Sequence, residues 1–346
     1  MLALIGPGWG HGSTPERAMG ADRTLPEGAV RLDEAFVAQF VPQRDPDGHK
    51  GTFGALLAVC GSLDYAGAGL LAGAAALRAG AGLVTLCVPA SLQLILAGRV
   101  PELITLGLPE TAPFVVDPEA AAASLAGRPH TALLAGPGLR PGPETRDLVL
   151  RLLHGGSPGD ALTAPILLDA EAINSLARVA EWWSTPARPT VLTPHPGEFA
   201  RLEGEAISGD DGDRAARAAA AARRWGAVVV LKGARTVVAA PDGRLAQARF
   251  ENPALGTGGT GDVLAGIGAS LLAQGLPPWE AACLAVYLQG AAGDHVRDRA
   301  GDAGLLASDL LAEVPRVRRH LAGVRDRSAP GRRVGFVSRA GPDPGR

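Results

Sequence analysis

Residues 252–265 read NPALGTGGTGDVLA, a glycine-rich loop that leads into a strongly helical run. Glycines let the backbone approach an anion closely, and the free N–H groups at a helix start point back into such a loop. We therefore expect Gly258, Gly259, Thr260 and Gly261 to hold the phosphates of a nucleotide. The spacing also satisfies G-x-G-x-x-G, but no strand leads into it and no βαβ unit follows, which excludes a dinucleotide-binding Rossmann fingerprint.

Asp262 follows this loop directly. A carboxylate in the first helical turn beside the phosphates could take the proton from an attacking hydroxyl. The alternative is that it complements the helix dipole, an effect of about 0.3–1 kcal/mol. Its place behind the phosphate loop favours the catalytic base.

The chain contains only two lysines, Lys50 and Lys232, although arginine is abundant. Lys232 follows the apolar run Val228–Leu231 and opens the segment KGART. A compact ammonium group suits a phosphate better than it suits a surface where arginine serves elsewhere. Lys50 lies in a loop near the N-terminus, and no catalytic role is expected for it.

Short apolar runs alternate with helix-like segments and predict a mostly parallel sheet with helices on both faces. The expected strands are Ala55–Cys60, Leu83–Val88, Ala132–Ala135, Ile166–Asp169, Thr190–Thr193 and Val228–Leu231. Thr236–Ala240 and Leu245–Arg249 flank Pro-Asp-Gly and predict an antiparallel hairpin at one edge of the sheet. The expected helices are Gly67–Ala79, Gly261–Ala273, Pro278–Arg297 and Ser308–Leu321.

Several further residues lie where such strands end, the edge at which open α/β sheets bind ligands. Gly138 closes Gly-Pro-Gly after a strand, and an ordinary turn explains it equally well. His195 is held between two prolines, although a solitary histidine is more often a surface or core residue. Ala68 is small enough for a flat ring to lie against the backbone, or for close helix packing.

Three polar residues form a second group of candidates. Asp169 ends a strand and either orients a ligand or caps a helix. Glu198 is either an acid of the first helical turn or an organiser of magnesium or water. Asn252 approaches the glycine-rich loop and either caps it or contacts substrate.

Taken together, the motifs resemble the ADP-dependent NAD(P)H-hydrate dehydratase family, which has a ribokinase-like fold. The matching segments are HKGTFG, GSLDYAGAGLLAGAAALRAGAGLV, AGPGL, LLDAEAINSL, LTPHPGEFARL, LKGARTVV, GTGGTGD and LAVYLQGAAGDH. The resemblance covers the chain from about His49 to about Asp309. The resemblance implies a three-layer α/β/α domain that repairs hydrated nicotinamide cofactors: ADP phosphorylates the C6 hydroxyl of NADHX or NADPHX, and elimination of phosphate regenerates NADH or NADPH.

The resemblance also implies roles for individual residues. Asp262 is the expected catalytic base and, with Ala68, Gly138 and His195, contacts the hydrate. The nucleotide is expected on the phosphate loop and on Lys232, Gly233, Ala234, Arg235 and Thr236, where Arg235 replaces an asparagine common in the family. ADP and Mg²⁺ are the expected co-substrate and cofactor, with no metal ligands predicted.

Composition sets the remaining limits. The chain has 346 residues, 47% of them hydrophobic, and a formal net charge of -2, which offers no broad field for nucleic acid or an anionic membrane. Three widely spaced cysteines fit neither a metal site nor a disulfide framework. We expect a cytoplasmic protein with no membrane partner.

The expected organisation is a poorly ordered arm over residues 1–28, a single domain over residues 29–325 and a disordered tail over residues 326–346. The resemblance implies a homo-oligomer, commonly a tetramer. Two other functions remain open: a kinase of the same fold acting on a vitamin precursor or sugar, and a non-catalytic nucleotide sensor.

Overall fold

The computed structural model describes residues 25–155, 164–185, 188–248 and 250–328. Its strands are β1 (Ala29–Arg31), β2 (Ala55–Val59), β3 (Leu83–Pro89), β4 (Ile104–Leu108), β5 (Glu110–Ala112), β6 (Val115–Val116), β7 (Ala132–Ala135), β8 (Ile166–Leu168), β9 (Thr190–Leu192), β10 (Val228–Leu231), β11 (Val237–Ala239) and β12 (Leu245–Gln247).

The helices of the same ranges are α1 (Glu34–Ala38), α2 (Ala66–Ala79), α3 (Ala90–Leu96), α4 (Pro118–Ala126), α5 (Pro143–His154), α6 (Glu171–Leu176), α7 (Pro196–Glu203), α8 (Asp211–Trp225), α9 (Thr260–Ala273), α10 (Pro278–Ala300) and α11 (Asp309–Ser328). Short 3-10 helices cover Trp182–Ser184 and Pro253–Gly256. Among these helices none is both long and apolar enough to cross a bilayer.

The central sheet has the strand order β1-β12-β11-β10-β9-β8-β7-β2-β3-β4. Only the pairs β10–β11 and β11–β12 are antiparallel in it, whereas every other neighbouring pair is parallel. The mostly parallel sheet and the antiparallel hairpin predicted from the sequence are confirmed. The edge itself is formed by β1, which pairs in parallel with β12, so the hairpin lies one strand further in.

Hydrophobic cores lie on both faces of the sheet, and successive strand residues alternate between them. In β2, Leu56 and Ala58 face one core, and Leu57 and Val59 face the other. The first core includes side chains of α1, α2, α3, α9, α10 and α11; the second includes those of α4, α5, α6, α7 and α8. Burial on both faces explains why the central strands are continuous apolar runs without polar alternation.

The predicted helices agree with α2, α9, α10 and α11 to within a few residues at most ends. The difference is largest at α11, which continues to Ser328 and so includes the first residues of the predicted tail. The rest of that tail, residues 1–24 of the predicted arm and Arg249 at the end of the predicted hairpin lie outside the described residues.

Candidate active site

The candidate site lies where the carboxyl ends of β2, β7, β8, β9 and β10 meet the N-terminus of α9. Helix α9 begins behind Gly259, which has a left-handed φ of 91°, and no side chain caps it. The first N–H groups of such a helix carry partial positive charge and have no partner within the helix. This end of α9 is therefore suited to bind an anion.

Thr260 fixes the turn that leads into α9. Its hydroxyl lies 2.8 Å from the carbonyl oxygen of Leu255 and 2.9 Å from that of Thr257. The amide of Gln289 in α10 donates to the carbonyl oxygen of Thr260 at 2.6 Å. These hydrogen bonds satisfy the Thr260 hydroxyl and three carbonyl oxygens of the turn. They do not involve the first N–H groups of α9.

Lys232 follows β10 and reaches the same place. Its Nζ donates to Oδ1 of Asp169 at 2.8 Å and lies 3.8 Å from Oε2 of Glu198. A Cβ placed on Gly261 would be 3.6 Å from this Nζ. Burial lowers the pKa of Lys232, but the charges of Asp169 and Glu198 raise it by more, so the pKa lies above its usual value. A protonated ammonium group thus stands beside the first turn of α9.

Asp169, directly after β8, is almost fully buried and is held by two donors. Besides Lys232 Nζ, the hydroxyl of Thr193 donates to its Oδ1 at 2.7 Å. The structure therefore gives Asp169 the role of holding Lys232, rather than that of a helix cap, because no side chain caps α6.

Asp262 lies in the first turn of α9, with Oδ2 3.9 Å from the position of a Cβ on Gly259. Burial raises the pKa of its carboxyl to about 6; the charge of Asp169 raises it as well, while that of Lys232 lowers it. A carboxyl that only complemented the helix dipole would instead be stabilised in its ionised form. The raised pKa favours the reading of Asp262 as a proton acceptor poised near neutral pH.

Ala68 and Gly138 come from different parts of the chain and lie in contact. A Cβ on Gly138, whose φ is +66°, would be 2.7 Å from the Cβ of Ala68 and 2.6 Å from the carbonyl oxygen of Tyr65. Both residues are partly exposed. They form a small apolar surface at the ends of β2 and β7 with no room for a side chain on residue 138.

His195 and Glu198 are joined in a capping box at the start of α7. Nδ1 of His195 accepts from the N–H of Gly197 at 3.0 Å, and Oε2 of Glu198 accepts from the N–H of His195 at 2.8 Å. Glu198 is buried, and burial raises its pKa. Half of the His195 side chain remains exposed, with Nε2 3.4 Å from Oε1 of Glu198. Cap and substrate contact are compatible roles for His195, because only Nδ1 is used in the cap.

A cavity of about 590 Å³ opens on the hairpin side of α9. Seven of the predicted nucleotide-binding residues line this cavity: Lys232, Gly233, Ala234, Arg235, Thr236, Thr260 and Gly261. The other two, Gly258 and Gly259, do not line it. Arg235 pairs with Asp211 and, through Nη1 at 2.8 Å, with Glu251. Its guanidinium therefore forms part of the cavity wall.

Asn252 also lines this cavity, and its side chain has partners on both sides. Its Oδ1 accepts from the N–H of Ala254 at 3.0 Å, and its Nδ2 donates to Asp294 at 3.1 Å. Asn252 thus caps the 3-10 helix Pro253–Gly256, the first of the two roles expected for it.

Sequence reasoning did not assign roles to Thr193, Gln289 or Phe250. Thr193 holds Asp169, Gln289 holds the turn before α9, and Phe250 lines the cavity. Thr193 and Gln289 lie within the motifs LTPHPGEFARL and LAVYLQGAAGDH, which was the signal for them. Phe250 lies in no such motif.

The acidic and histidine side chains of the site were candidates for metal ligands. Among the described residues, no group of three or more His, Cys, Asp or Glu side chains is placed to hold one. Asp169 and Glu198 are engaged with Lys232 and with the cap of α7. These residues do not form a resident metal site.

Comparison with known proteins gives consistent matches. A model of the NAD(P)H-hydrate dehydratase family matches residues 56–316. The bifunctional NAD(P)H-hydrate repair enzyme Nnr of Moorella thermoacetica is 45% identical over 84% of this chain and 54% of its own length. The chain thus spans about half the length of such bifunctional relatives. The ADP-dependent (S)-NAD(P)H-hydrate dehydratase of Neisseria meningitidis is 37% identical, over 83% of this chain and 91% of the relative.

Solved structures agree with the fold. The ADP/ATP-dependent NAD(P)H-hydrate dehydratase of Bacillus subtilis, co-crystallised with ATP and Mg²⁺, has a TM-score of 0.71 at 31% identity, covering 85% of this chain and 99% of that one. A ribokinase-like superfamily protein of Enterococcus faecalis has a TM-score of 0.73 at 26% identity, covering 87% and 99%. The ribokinase-like fold expected from the sequence is confirmed.

Proposed function

This chain belongs to the NAD(P)H-hydrate dehydratase family, and we propose that it converts (6S)-NADHX or NADPHX to NADH or NADPH with ADP as phosphoryl donor, releasing AMP and phosphate. The observation that carries the proposal is the position of Asp262. Its carboxyl stands at the anion-binding start of α9, beside the cavity that Lys232 and Gly261 line.

The proposed reaction begins with ADP in the cavity. The residues Lys232–Thr236 bind the nucleotide, while the N–H groups at Gly261 and the ammonium of Lys232 neutralise the diphosphate. Magnesium would enter with the nucleotide, because Mg²⁺ keeps several waters and takes phosphate oxygens with few protein ligands. No step is assigned to a metal ion held by the protein.

The hydrate is placed against Ala68, Gly138 and His195, with its C6 hydroxyl toward Asp262. Asp262 accepts the hydroxyl proton as the oxygen attacks the β-phosphorus of ADP, and the bond from that phosphorus to the bridging oxygen breaks, leaving AMP. The lone pair of the ring nitrogen then expels phosphate by breaking the C6–O bond. Loss of a C5 proton to phosphate or water restores the dihydronicotinamide, so this second stage needs no further enzymatic base.

The test follows recovery of reduced-nicotinamide absorbance from hydrated NADH or NADPH with Mg²⁺ and ADP, with ATP, or without nucleotide. Recovery with ADP is the expected result and identifies the reaction and the donor together. ADP consumption with a vitamin precursor or a sugar, without recovery from the hydrates, would indicate the kinase instead. Nucleotide binding without any turnover would indicate a sensor.

The same proposal includes a homo-oligomer, in line with the tetramer expected for the family, working in the cytoplasm. Exposed apolar side chains at Leu94, Ile95 and Ile104 lie on α3 and on β4, the strand at one edge of the sheet. Such a patch is typical of an interface between subunits. The three cysteines are free and buried, which suits a reducing compartment. Light scattering on the purified protein measures the subunit number.

A further inference from the structure

Large apolar side chains that are exposed to water are few among the described residues, and they are unevenly distributed. They are Val30, Leu63, Tyr65, Leu94, Ile95, Ile104 and Leu306. Four of them lie in β1, in α3 or in β4, away from the site. The other three, Leu63, Tyr65 and Leu306, lie in the segments that precede α2 and α11.

The place of Leu306 follows from its neighbour. The Cβ of Ala307 lies 3.0 Å from the position of a Cβ on Gly259, and Leu71 of α2 lies 2.8 Å from that position. Gly259 in turn adjoins the carboxyl of Asp262. The start of α11 and the start of α2 therefore border the base on one side.

Tyr65 is the residue that precedes α2, and it lies beside Gly138. Its carbonyl oxygen lies 2.6 Å, and its own Cβ 3.1 Å, from the position of a Cβ on Gly138. The N–H of Ala68 donates to the Tyr65 carbonyl at 3.2 Å. Tyr65, Ala68 and Gly138 are thus one continuous surface, and 60% of Tyr65 is exposed to solvent.

The chemistry of this surface points to a flat partner. Ala68 and Gly138 present only C–H groups and backbone to a ligand. Neither has a side chain that can form a hydrogen bond with it. An exposed aromatic side chain next to this surface gains free energy by stacking on a planar conjugated group. The side chain of Tyr65 does not cap α2, so helix capping does not explain its presence here.

We propose that Tyr65 is a substrate-binding residue whose ring packs against the planar vinylogous amide of the hydrated nicotinamide. This inference rests on the proposed function and deepens it. Tyr65 holds the ring on the Ala68–Gly138 surface and so contributes to binding of the hydrate. It takes no part in proton or phosphoryl transfer.

The experiment compares Tyr65→Ala with Tyr65→Phe, which keeps the ring, and with Val30→Ala, which shortens an exposed apolar side chain that does not line the cavity. The KM for the hydrate, the KM for ADP and kcat are measured for each protein. A second readout, titration of NADPH fluorescence, reports binding of the product without turnover.

Tyr65→Ala is expected to raise the KM for the hydrate and to weaken NADPH binding by about 5- to 100-fold, the range that loss of one stacked ring produces. The KM for ADP and kcat should stay within about twofold of the wild type. Tyr65→Phe and Val30→Ala should resemble the wild type in every parameter.

Two results would overturn the assignment while the wild-type enzyme is active. An unchanged hydrate KM in Tyr65→Ala would remove Tyr65 from the binding surface. An equal rise in the KM for ADP would show a general disturbance of the fold. Failure of the wild type itself to regenerate NADH or NADPH would overturn the proposed function, and this inference with it. Wild-type turnover therefore distinguishes failure of the function from failure of the Tyr65 assignment.

Discussion

At the scale of single residues, three carboxyl groups interact with one ammonium group, that of Lys232, and these charges set the electrostatics of the site. Asp169 and Glu198 are buried around Lys232, and the charge of Lys232 also acts on Asp262. Burial and the charge of Asp169 raise the pKa of Asp262 to about 6. Such a group is ionised at neutral pH and accepts a proton more readily than an ordinary aspartate.

Replacement of Asp262 tests its role as a base. Asp262→Asn keeps the shape of the side chain and removes its basicity, so kcat should fall by about 10²–10⁴-fold while ADP affinity stays nearly unchanged. Steady-state kinetics and a nucleotide-binding titration measure the two effects. Asp242→Asn, in the exposed turn between β11 and β12, serves as a matched control. Normal turnover in Asp262→Asn would disprove the assignment.

The pH profile tests how Asp169 acts on Asp262. Because the base must be ionised, activity should fall about tenfold per pH unit below the pKa of Asp262 near 6. The negative charge of Asp169 contributes to that raised pKa, so Asp169→Asn should move the acid limb to lower pH. A profile of kcat/KM against pH measures the shift, and an acid limb that stays in place would contradict the coupling.

At the scale of elements, the proposed phosphate site depends on the position of α9. Gly266 in the middle of α9 lies against the backbone of Ala72 in α2, where a Cβ would overlap the carbonyl oxygen. Gly54, with a φ of +91°, lies equally close to the backbone of Ala273 at the other end. Gly54 of the motif HKGTFG thus helps to position α9.

Gly266→Ala tests this close packing. The added methyl group has no space beside a backbone carbonyl, so α9 must move away from α2, at a cost of about 1–3 kcal/mol in the free energy of unfolding. Gly67→Ala is the matched control, because a Cβ there meets nothing within 4 Å in the helix α2. The control should gain up to about 1 kcal/mol. Denaturant unfolding of both variants measures the difference, and equal effects would refute the packing argument.

At the scale of the whole molecule, the site is assembled from segments spread between the start of α2 and the start of α9. The ends of five strands contribute to it, and the sheet joins them into one body. A ligand that binds only this assembled form stabilises the whole fold by mass action. Nucleotide binding should therefore be visible as a change in global stability.

ADP with Mg²⁺ is expected to raise the Tm, with a stabilisation of about 2.7 kcal/mol at a concentration 100 times Kd. Gly261→Val should abolish the shift, because the new side chain would project toward Lys232 Nζ, 3.6 Å from a Cβ at this position, and block the phosphates. Tyr65→Ala should keep the full shift. Thermal unfolding at several ADP concentrations measures all three proteins, and a normal shift in Gly261→Val would place the phosphates elsewhere.

The sequence by itself determined what depends on neighbours along the chain. Continuous apolar runs predicted the buried strands, Pro-Asp-Gly predicted the hairpin, and the glycines before Asp262 predicted the start of a helix. These features are local, because a few consecutive residues set the backbone conformation and the burial pattern. The strands β1, β4, β5 and β6 were not predicted. For β1, three residues carry too little pattern, and their pairing with β12 is distant in sequence.

Only the tertiary structure decided which of the candidate residues meet. It placed Ala68 against Gly138, joined Asp169 and Glu198 to Lys232, and put Lys232 beside Gly261. It also showed contacts that the sequence did not specify: Asn252 caps a 3-10 helix, and His195 uses one ring nitrogen to cap α7. Contacts, burial and pKa values depend on atoms that are remote in the chain, and they exist only once the sheet has brought the strand ends together.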